Sequence, residues 1–524
     1  MKSLLAATAA LVGMALAAAA WAAPGTAAPS PGPAASGTPT AQESVTEGSV
    51  TVEGKQIDYT ATAGTIILKD QDGHPIGSMF YVAYVKRGVK DESQRPVTFF
   101  HNGGPGSSTI WLHMGAFGPQ RVTTTDLGPT PAAPYRLVNN DYSLLDVTDE
   151  VFIDAMNTGY SRIIGKDQGG VGTTKDFYGT DPDMKSFAQF IKRYATQNHR
   201  WNSPKYLYGE SYGTLRNEVL VNYLEQAENM DVNGIVLQSA YMGSAIPYGS
   251  DIQYEVVLPT MAATAWYHHK VQNASADMQA FLAEVEHFAM NQYAVALNAG
   301  NTLSPADFDA IAEKLHGYTG LPVDYIKKAN LRVDIGQFRQ ALLGDQQQVV
   351  GELDARFSGP TMNAMTETAQ TDPQYSSIDS AYVTGLNTYM HGTLKYGDDQ
   401  VYRPTYYNVG SVSDGGIAPW PTEDENLVAG DKMRDTNGGV DLAQAMKYDA
   451  RLQVLVHCGY FDFSTPFYGM VYAVNHMDIP PDLQSHIHFD YYDSGHMVYV
   501  HVPDLKKLHD NTAAFIRATD NQHG

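Results

Sequence analysis

A serine set in Gly209-Glu210-Ser211-Tyr212-Gly213 is the first residue whose surroundings point to chemistry. The pentapeptide fits G-x-S-x-G, in which a serine sits on a tight strand-to-helix turn with its hydroxyl pushed out above a sheet. The run Tyr206-Leu207-Tyr208 before it suits a buried strand. After it, the stretch from Thr214 to Glu228 puts Leu215, Val219, Leu220, Tyr223 and Leu224 on one helical face. With 47 glycines in the chain the bare pattern could arise by chance, so the flanking strand and helix are what make Ser211 a candidate nucleophile rather than a turn serine.

A serine attacks only when a base takes its proton and an acceptor orients that base. His496 follows Asp493-Ser494-Gly495, just past a strand candidate at His486 to Tyr492. Asp462 closes Gly459-Tyr460-Phe461-Asp462, just past the apolar run from Leu452 to Cys458. The interval between them suits one helix and one strand, and the chain order Ser, Asp, His is the one found in α/β-hydrolases. A second motif follows the strand candidate Val97 to Phe100: His101-Asn102-Gly103-Gly104-Pro105-Gly106-Ser107-Ser108. A Gly-Gly run there lets backbone N–H groups face a developing oxyanion, with the Tyr212 N–H as the other half of the hole. A phosphate loop would need a Gly-Lys-Ser/Thr ending that this stretch lacks.

These residues need a scaffold that gathers strand ends. Strand candidates at Val97–Phe100, Val151–Asp154, Tyr206–Tyr208 and Val232–Gln238 alternate with helical stripes, including Met184, Phe187, Ile191 and Tyr194 within Asp183 to Asn198. That rhythm predicts an α/β fold with a mostly parallel sheet, and catalytic groups collect at the carboxyl ends of such strands. Gly64 to Val85 reads as a β-hairpin turning at Asp70-Gln71-Asp72-Gly73; a calcium loop would require later ligands that are missing. From 241 to 399 helical stripes dominate, among them Leu282 to Leu297, Asp307 to His316, Asp334 to Leu343 and Val349 to Phe357, with no strand candidate. This span is expected to be a helical cap insertion dividing the core into 46–240 and 400–524. Lys2, the Ala-rich apolar run and Ala20-Trp21-Ala22 make 1–22 a signal peptide, and 23–45 reads as a disordered Pro/Ala-rich linker.

The formal charge of −23, from 57 acidic and 34 basic residues, argues against nucleic acid and anionic lipid as partners. A single cysteine, Cys458, forbids an intramolecular disulfide, and its place at the end of an apolar run suits strand packing. His268-His269 and Glu284, Glu286 and His287 lack the second half of a metal site, so no metal or cofactor is expected.

Taken together, Asn102-Gly103-Gly104-Pro105-Gly106-Ser107-Ser108, Gly209–Gly213, Gly459-x-x-Asp462 and Gly495-His496-Met497 resemble the serine carboxypeptidase family. Asn157-Thr158-Gly159-Tyr160-Ser161 is similar to a further signature that usually has Gly at the first position. The resemblance implies an α/β-hydrolase fold with a helical cap and removal of C-terminal residues from peptides that carry a free C-terminus, and the segment 1–22 points to an exported enzyme, periplasmic or extracellular. It implies Ser211 as nucleophile, His496 as general acid/base, Asp462 as its orienting partner, and Gly104 and Tyr212 as oxyanion-hole amides. It also implies Asn102, Gly103 and Glu210 as the binders of the substrate's terminal carboxylate. Glu210 would act protonated, sharing its proton with a second glutamate, but that glutamate's position is Ala116 in Ala116-Phe117-Gly118-Pro119. The expectation is then a weaker grip on carboxylates, a less acidic optimum, or another substrate. A hydrolase of different specificity and a non-catalytic binding protein on the same fold remain as alternatives. Oligomeric state, a homodimer included, is not set by the sequence.

Overall fold

The computed structural model describes residues 39–271, 275–406, 424–425, 432–433 and 435–521. The proposed signal segment 1–22 and most of the linker lie outside the described residues. Nine strands form one sheet: β1 (Glu43–Val52), β2 (Lys55–Lys69), β3 (Pro75–Lys86), β4 (Val97–His101), β5 (Asp149–Ile153), β6 (Lys205–Glu210), β7 (Gly234–Gln238), β8 (Gln453–Gly459) and β9 (Ile487–Tyr492). Their spatial order is β1-β2-β3-β5-β4-β6-β7-β8-β9, with the two-residue strand Arg162–Ile163 paired to β3. The first three strands and β5 pair antiparallel. From β5 through β9 every pairing is parallel.

The inner parallel strands β4 to β8 bury both faces, which is why most of their length reads as apolar runs rather than alternating ones, while the edge strand β9 is largely half-buried. Phe99, Leu207, Ile235, Leu237, Val454 and Val456 turn to one core layer. Phe100, Tyr206, Tyr208, Val236 and Leu455 turn to the other. On the first face lie α1 (Thr180–Gln197) and α2 (Tyr212–Gln226), with α3 (Gly438–Tyr448) packed on α2. The second face is covered by α5 (Val502–Thr519), while α4 (Phe467–Asn475) links β8 to β9. The chain leaves β4 toward β5 on one side and returns through β6 on the other, so the order reverses at the β4/β6 boundary. That is where an open α/β sheet leaves a crevice beyond its strand ends.

Two readings need correction. Glu43–Val45, taken as the end of the linker 23–45, are the first residues of β1, which pairs along its whole length with β2. Alternation of small polar residues at an edge gave no apolar signal there. Residues 349–357, taken as helix, instead form a hairpin of Gln348–Val350 and Ser358–Pro360 around a tight loop. Val349 and Val350 favour extended backbone, and Asp354 holds the loop by accepting from the Arg356 N–H at 3.0 Å. Elsewhere between β7 and β8 helices dominate, including Ile252–Tyr267, Met278–Phe288, Pro305–Thr319, Ile335–Ala341 and Pro373–Tyr389. The Asp70–Gly73 stretch is the turn between β2 and β3. No helix among the described residues is long and apolar enough to cross a membrane.

Candidate active site

Ser211 joins β6 to α2 with φ 61° and ψ −131°, a backbone geometry that is costly for any residue with a Cβ. The turn closes only because its neighbours lack side chains. A Cβ on Gly209 would lie 2.2 Å from the Gly213 carbonyl oxygen, and one on Gly213 would lie 2.9 Å from that of His101. Such strain at the amino end of a helix lifts the serine out of the sheet plane. Among the described residues the Ser211 hydroxyl has no hydrogen-bond partner.

The loop after β4 lies directly on this elbow. A Cβ on Gly103 would meet the Tyr212 nitrogen at 2.4 Å and the Gly213 nitrogen at 2.6 Å. Gly104 follows with φ 112°, a conformation suited to glycine. The Tyr212 amide opens α2 and has no intrahelical acceptor. Arg216, fully buried on α2, fastens the loop: its Nε donates to Asp183 on α1 at 2.7 Å, and its Nη1 donates to the Asn102 carbonyl at 3.0 Å. The same Nη1 meets His101 Nδ1 at 3.0 Å while His101 Nε2 lies 2.9 Å from the Asn217 Oδ1. Burial, with the Arg216 charge beside it, keeps His101 neutral. Nothing in the sequence singled out Arg216, because a helix-face arginine looks like a solvated one until α1 and the β4 loop close around it.

Asp462 and His496 meet as the spacing predicted: His496 Nδ1 lies 2.8 Å from Asp462 Oδ2. Asp462 is fully buried and also accepts from the Thr465 amide at 3.0 Å and its hydroxyl at 2.7 Å. Asp462 thus serves the turn as well as the imidazole, the two roles its position after a strand offered. Burial alone would depress the His496 imidazole, but the charge and hydrogen bond of Asp462, with Glu210 and Glu352 behind it, raise it to about 9. The histidine backbone is clasped on both sides. Its N–H donates to the Leu353 carbonyl at 2.6 Å, and its carbonyl accepts from the Ser239 hydroxyl at 2.6 Å. The misread 348–360 hairpin is thus the clamp over the histidine loop, and a Cβ on Gly495 would lie 2.1 Å from the Leu353 oxygen.

Glu210 ends β6 beside Gln238 in register on β7. It is buried, accepts from the Asn102 side-chain amide at 2.8 Å and from Gln238 Nε2 at 2.9 Å, and faces the Tyr499 phenol. Burial outweighs these donors and the nearby His496, lifting Glu210 to about 7. A second glutamate is therefore not needed to keep a proton on Glu210 in mildly acid solution. Ala116, where that partner was expected, is fully buried. Asn102 is largely engaged, since its Oδ1 also accepts from the Leu112 amide at 3.1 Å. In the neighbouring signature Asn157 has φ 66°, which explains the usual glycine and why asparagine is tolerated. Cys458 is buried, and burial pushes its thiol far up, so it is strand packing and not a nucleophile. His268 Nε2–H donates to the Ala355 carbonyl at 2.7 Å and so braces the hairpin.

Comparison with known proteins matches these motifs to a family. The family described as "Serine carboxypeptidase" matches residues 55–498. A carboxypeptidase Y homolog A of Fusarium vanettenii is 28% identical over 200 residues, covering 38% of this chain and 32% of that protein. The homolog A of Phaeosphaeria nodorum is 29% identical over 192 residues, covering 36% and 30%. The chain thus spans about a third of the length of these curated relatives. Among solved structures, Kex1(delta)p, a prohormone-processing carboxypeptidase from Saccharomyces cerevisiae, superposes with a TM-score of 0.54 over 88% of this chain and 92% of its own. Its identity of 14% makes that a likeness of fold. With the family match running from β2 to beyond His496, the chain belongs to the serine carboxypeptidase family.

Proposed function

We propose that the protein is a serine-type carboxypeptidase acting on peptides with a free C-terminus, exported by the segment 1–22, with the span 241–399 forming a cap over the site. The observation that carries this reading is the Asp462–His496 pair, 2.8 Å apart, together with a serine elbow against which the β4 loop packs so closely that a Cβ on Gly103 would meet the Tyr212 nitrogen. In this scheme Ser211 Oγ attacks the last peptide carbonyl while His496 Nε2 takes its proton. Asp462 holds the Nδ1–H tautomer and stabilises the imidazolium. The Gly104 and Tyr212 amides receive the oxyanion. His496 then returns the proton to the leaving amine, releasing the terminal amino acid. Water, deprotonated by the same imidazole, cleaves the acyl-enzyme to the shortened peptide.

Incubation with a mixed peptide pool, read by mass spectrometry, is expected to give ladders shortened from the C-terminus. A fluorophosphonate is expected to label Ser211 and not the S211A variant. Labelling without ladders would sink the exopeptidase assignment and leave a hydrolase of other specificity. No labelling at all would leave a binding protein.

The charges set a pH profile. Binding a terminal carboxylate requires neutral Glu210, which loses its proton at about 7. Accepting the Ser211 proton requires neutral His496, which titrates at about 9. The productive state, with the proton on Glu210 and none on His496, has the same total charge as the favoured Glu210⁻/His496⁺ state. The pair therefore titrates as a unit. The rate rises as the first proton leaves and falls as the second leaves, so kcat/KM on a blocked dipeptide is expected to be bell-shaped with limbs near those values and a maximum around pH 8. E210Q is expected to lose the descending limb. A wild-type optimum well below pH 5 would contradict this assignment.

A further inference from the structure

The hairpin that reaches His496 holds more than the histidine. Its loop runs beside both catalytic turns. The Glu352 carbonyl accepts from the Phe463 N–H at 2.9 Å, and the Ala355 N–H donates to the Phe461 carbonyl at 2.9 Å, so Asp462 is bracketed on both sides. Between these two residues, the Leu353 carbonyl takes the His496 N–H at 2.6 Å. Arg339, buried on the Ile335–Ala341 helix, fastens the hairpin by pairing with the Glu352 carboxylate. Its Nε donates to the Val350 carbonyl at 3.2 Å and its Nη2 to that of Thr371 at 2.8 Å. Beside Thr371 stands Asp372, buried at the amino end of the Pro373–Tyr389 helix. Its Oδ1 caps that helix, accepting from the Gln374 N–H at 2.9 Å. Its Oδ2 leaves the helix and accepts from the Leu353 N–H at 2.9 Å.

We propose that Asp372 is a positioning residue for His496, acting through Leu353. One residue separates the two: Leu353 gives its N–H to the carboxylate and its carbonyl to the histidine backbone. A helix cap needs only one side-chain acceptor, which a serine or threonine supplies. The second oxygen of Asp372 is therefore free of the helix, and a charged acceptor holds a backbone N–H more firmly than a neutral one. What it holds is the residue on which the His496 backbone rests. The imidazole must reach the Ser211 hydroxyl, and a misplacement of about 1 Å costs on the order of 10²-fold in rate. The proposal rests on His496 as the general base and not on the class of substrate.

The test separates the two oxygens. D372S keeps a helix cap and offers nothing to Leu353, whereas D372A loses both bonds. Each variant is measured for kcat and KM on a blocked dipeptide and for the rate of fluorophosphonate labelling at Ser211. Rates are taken per Ser211 labelled at completion, so unfolded enzyme does not count. Both variants are expected to lower kcat and the labelling rate roughly 10- to 100-fold with KM little changed. The thermal melt of D372S is expected to lie above that of D372A, so that rate and stability part company. Asp277→Ala is the control: it removes the cap of the Met278–Phe288 helix, where Asp277 accepts from the Gln279 N–H at 3.0 Å. It is expected to lower the melt and leave both rates unchanged. Rates in D372S within about twofold of wild type would overturn the proposal and leave Asp372 a helix cap. Slowed labelling in both variants, with no C-terminal ladders from the wild type, would sink the exopeptidase reading and still support Asp372. A wild type that never labels would remove the base that Asp372 positions, and the proposal with it.

Discussion

Asp462→Asn is expected to lower kcat/KM on a blocked dipeptide by about 10⁴ while leaving the fold in place. The reason lies in which donors and acceptors face each other. Asp462 Oδ2 meets His496 Nδ1 at 2.8 Å and the Thr465 hydroxyl at 2.7 Å, and Oδ1 takes the Thr465 amide at 3.0 Å. The Thr465 N–H can only donate, so an asparagine keeps its carbonyl oxygen there and turns its NH2 toward the imidazole. Nδ1 must then accept, which places the proton on Nε2, the nitrogen that has to receive the Ser211 proton. The substitution also removes the largest favourable influence on the imidazolium, so His496 falls from about 9 toward or below its ordinary value. Activity remaining in the variant is expected to rise with pH to a lower midpoint than in wild type. Steady-state rates across pH, with a thermal melt to confirm folding, make the measurement. A loss of less than tenfold would mean that Asp462 serves the turn at Thr465 and not the imidazole.

How far the letters could be read differs between the residues that react and those that hold them. Ser211 and Asp462 were legible because each follows a buried parallel strand that announces itself as an apolar run, and His496 because it follows the aromatic edge strand β9 and a Ser-Gly turn. The clamp was not. Leu353 and Ser239 hold the His496 backbone through a carbonyl and a hydroxyl that any residue type, or any surface serine, could have provided. The 348–360 hairpin was lost for a related reason: two valines and a glycine are too short a stretch for periodicity to decide between strand and helix. β1 escaped because its partner strand, not its own hydrophobicity, defines it. The protonation of Glu210 is the sharpest case. The sequence placed an alanine where a proton-sharing glutamate was expected, yet the proton is favoured by burial under β7 and Tyr499, a property of the packed interior.

Gly103→Ala is expected to cost more than about 4 kcal/mol of stability, or to be tolerated only with the β4 loop lifted off the elbow and kcat reduced about 10²- to 10³-fold. The added carbon would stand 2.4 Å from the Tyr212 nitrogen, 2.6 Å from the Gly213 nitrogen and 2.8 Å from the Glu210 carbonyl oxygen. All three are backbone atoms of a turn already strained at Ser211, so no side chain can swing aside to relieve the contact. On the other side the loop is held by the Arg216 bond to the Asn102 carbonyl, anchored through Asp183 to α1. The loop must break that buried charge-assisted bond or push the elbow into the sheet, and either course separates the Gly104 and Tyr212 amides. Gly317→Ala supplies the control: in the Pro305–Thr319 helix a Cβ there meets nothing within 4 Å, and the change is expected to stabilise by up to about 1 kcal/mol. Thermal melts of both variants, together with fluorophosphonate labelling rates at Ser211, separate the outcomes. Normal stability and normal labelling in G103A would show that the two loops are not in the contact described, and the oxyanion site assigned to them would have to be abandoned.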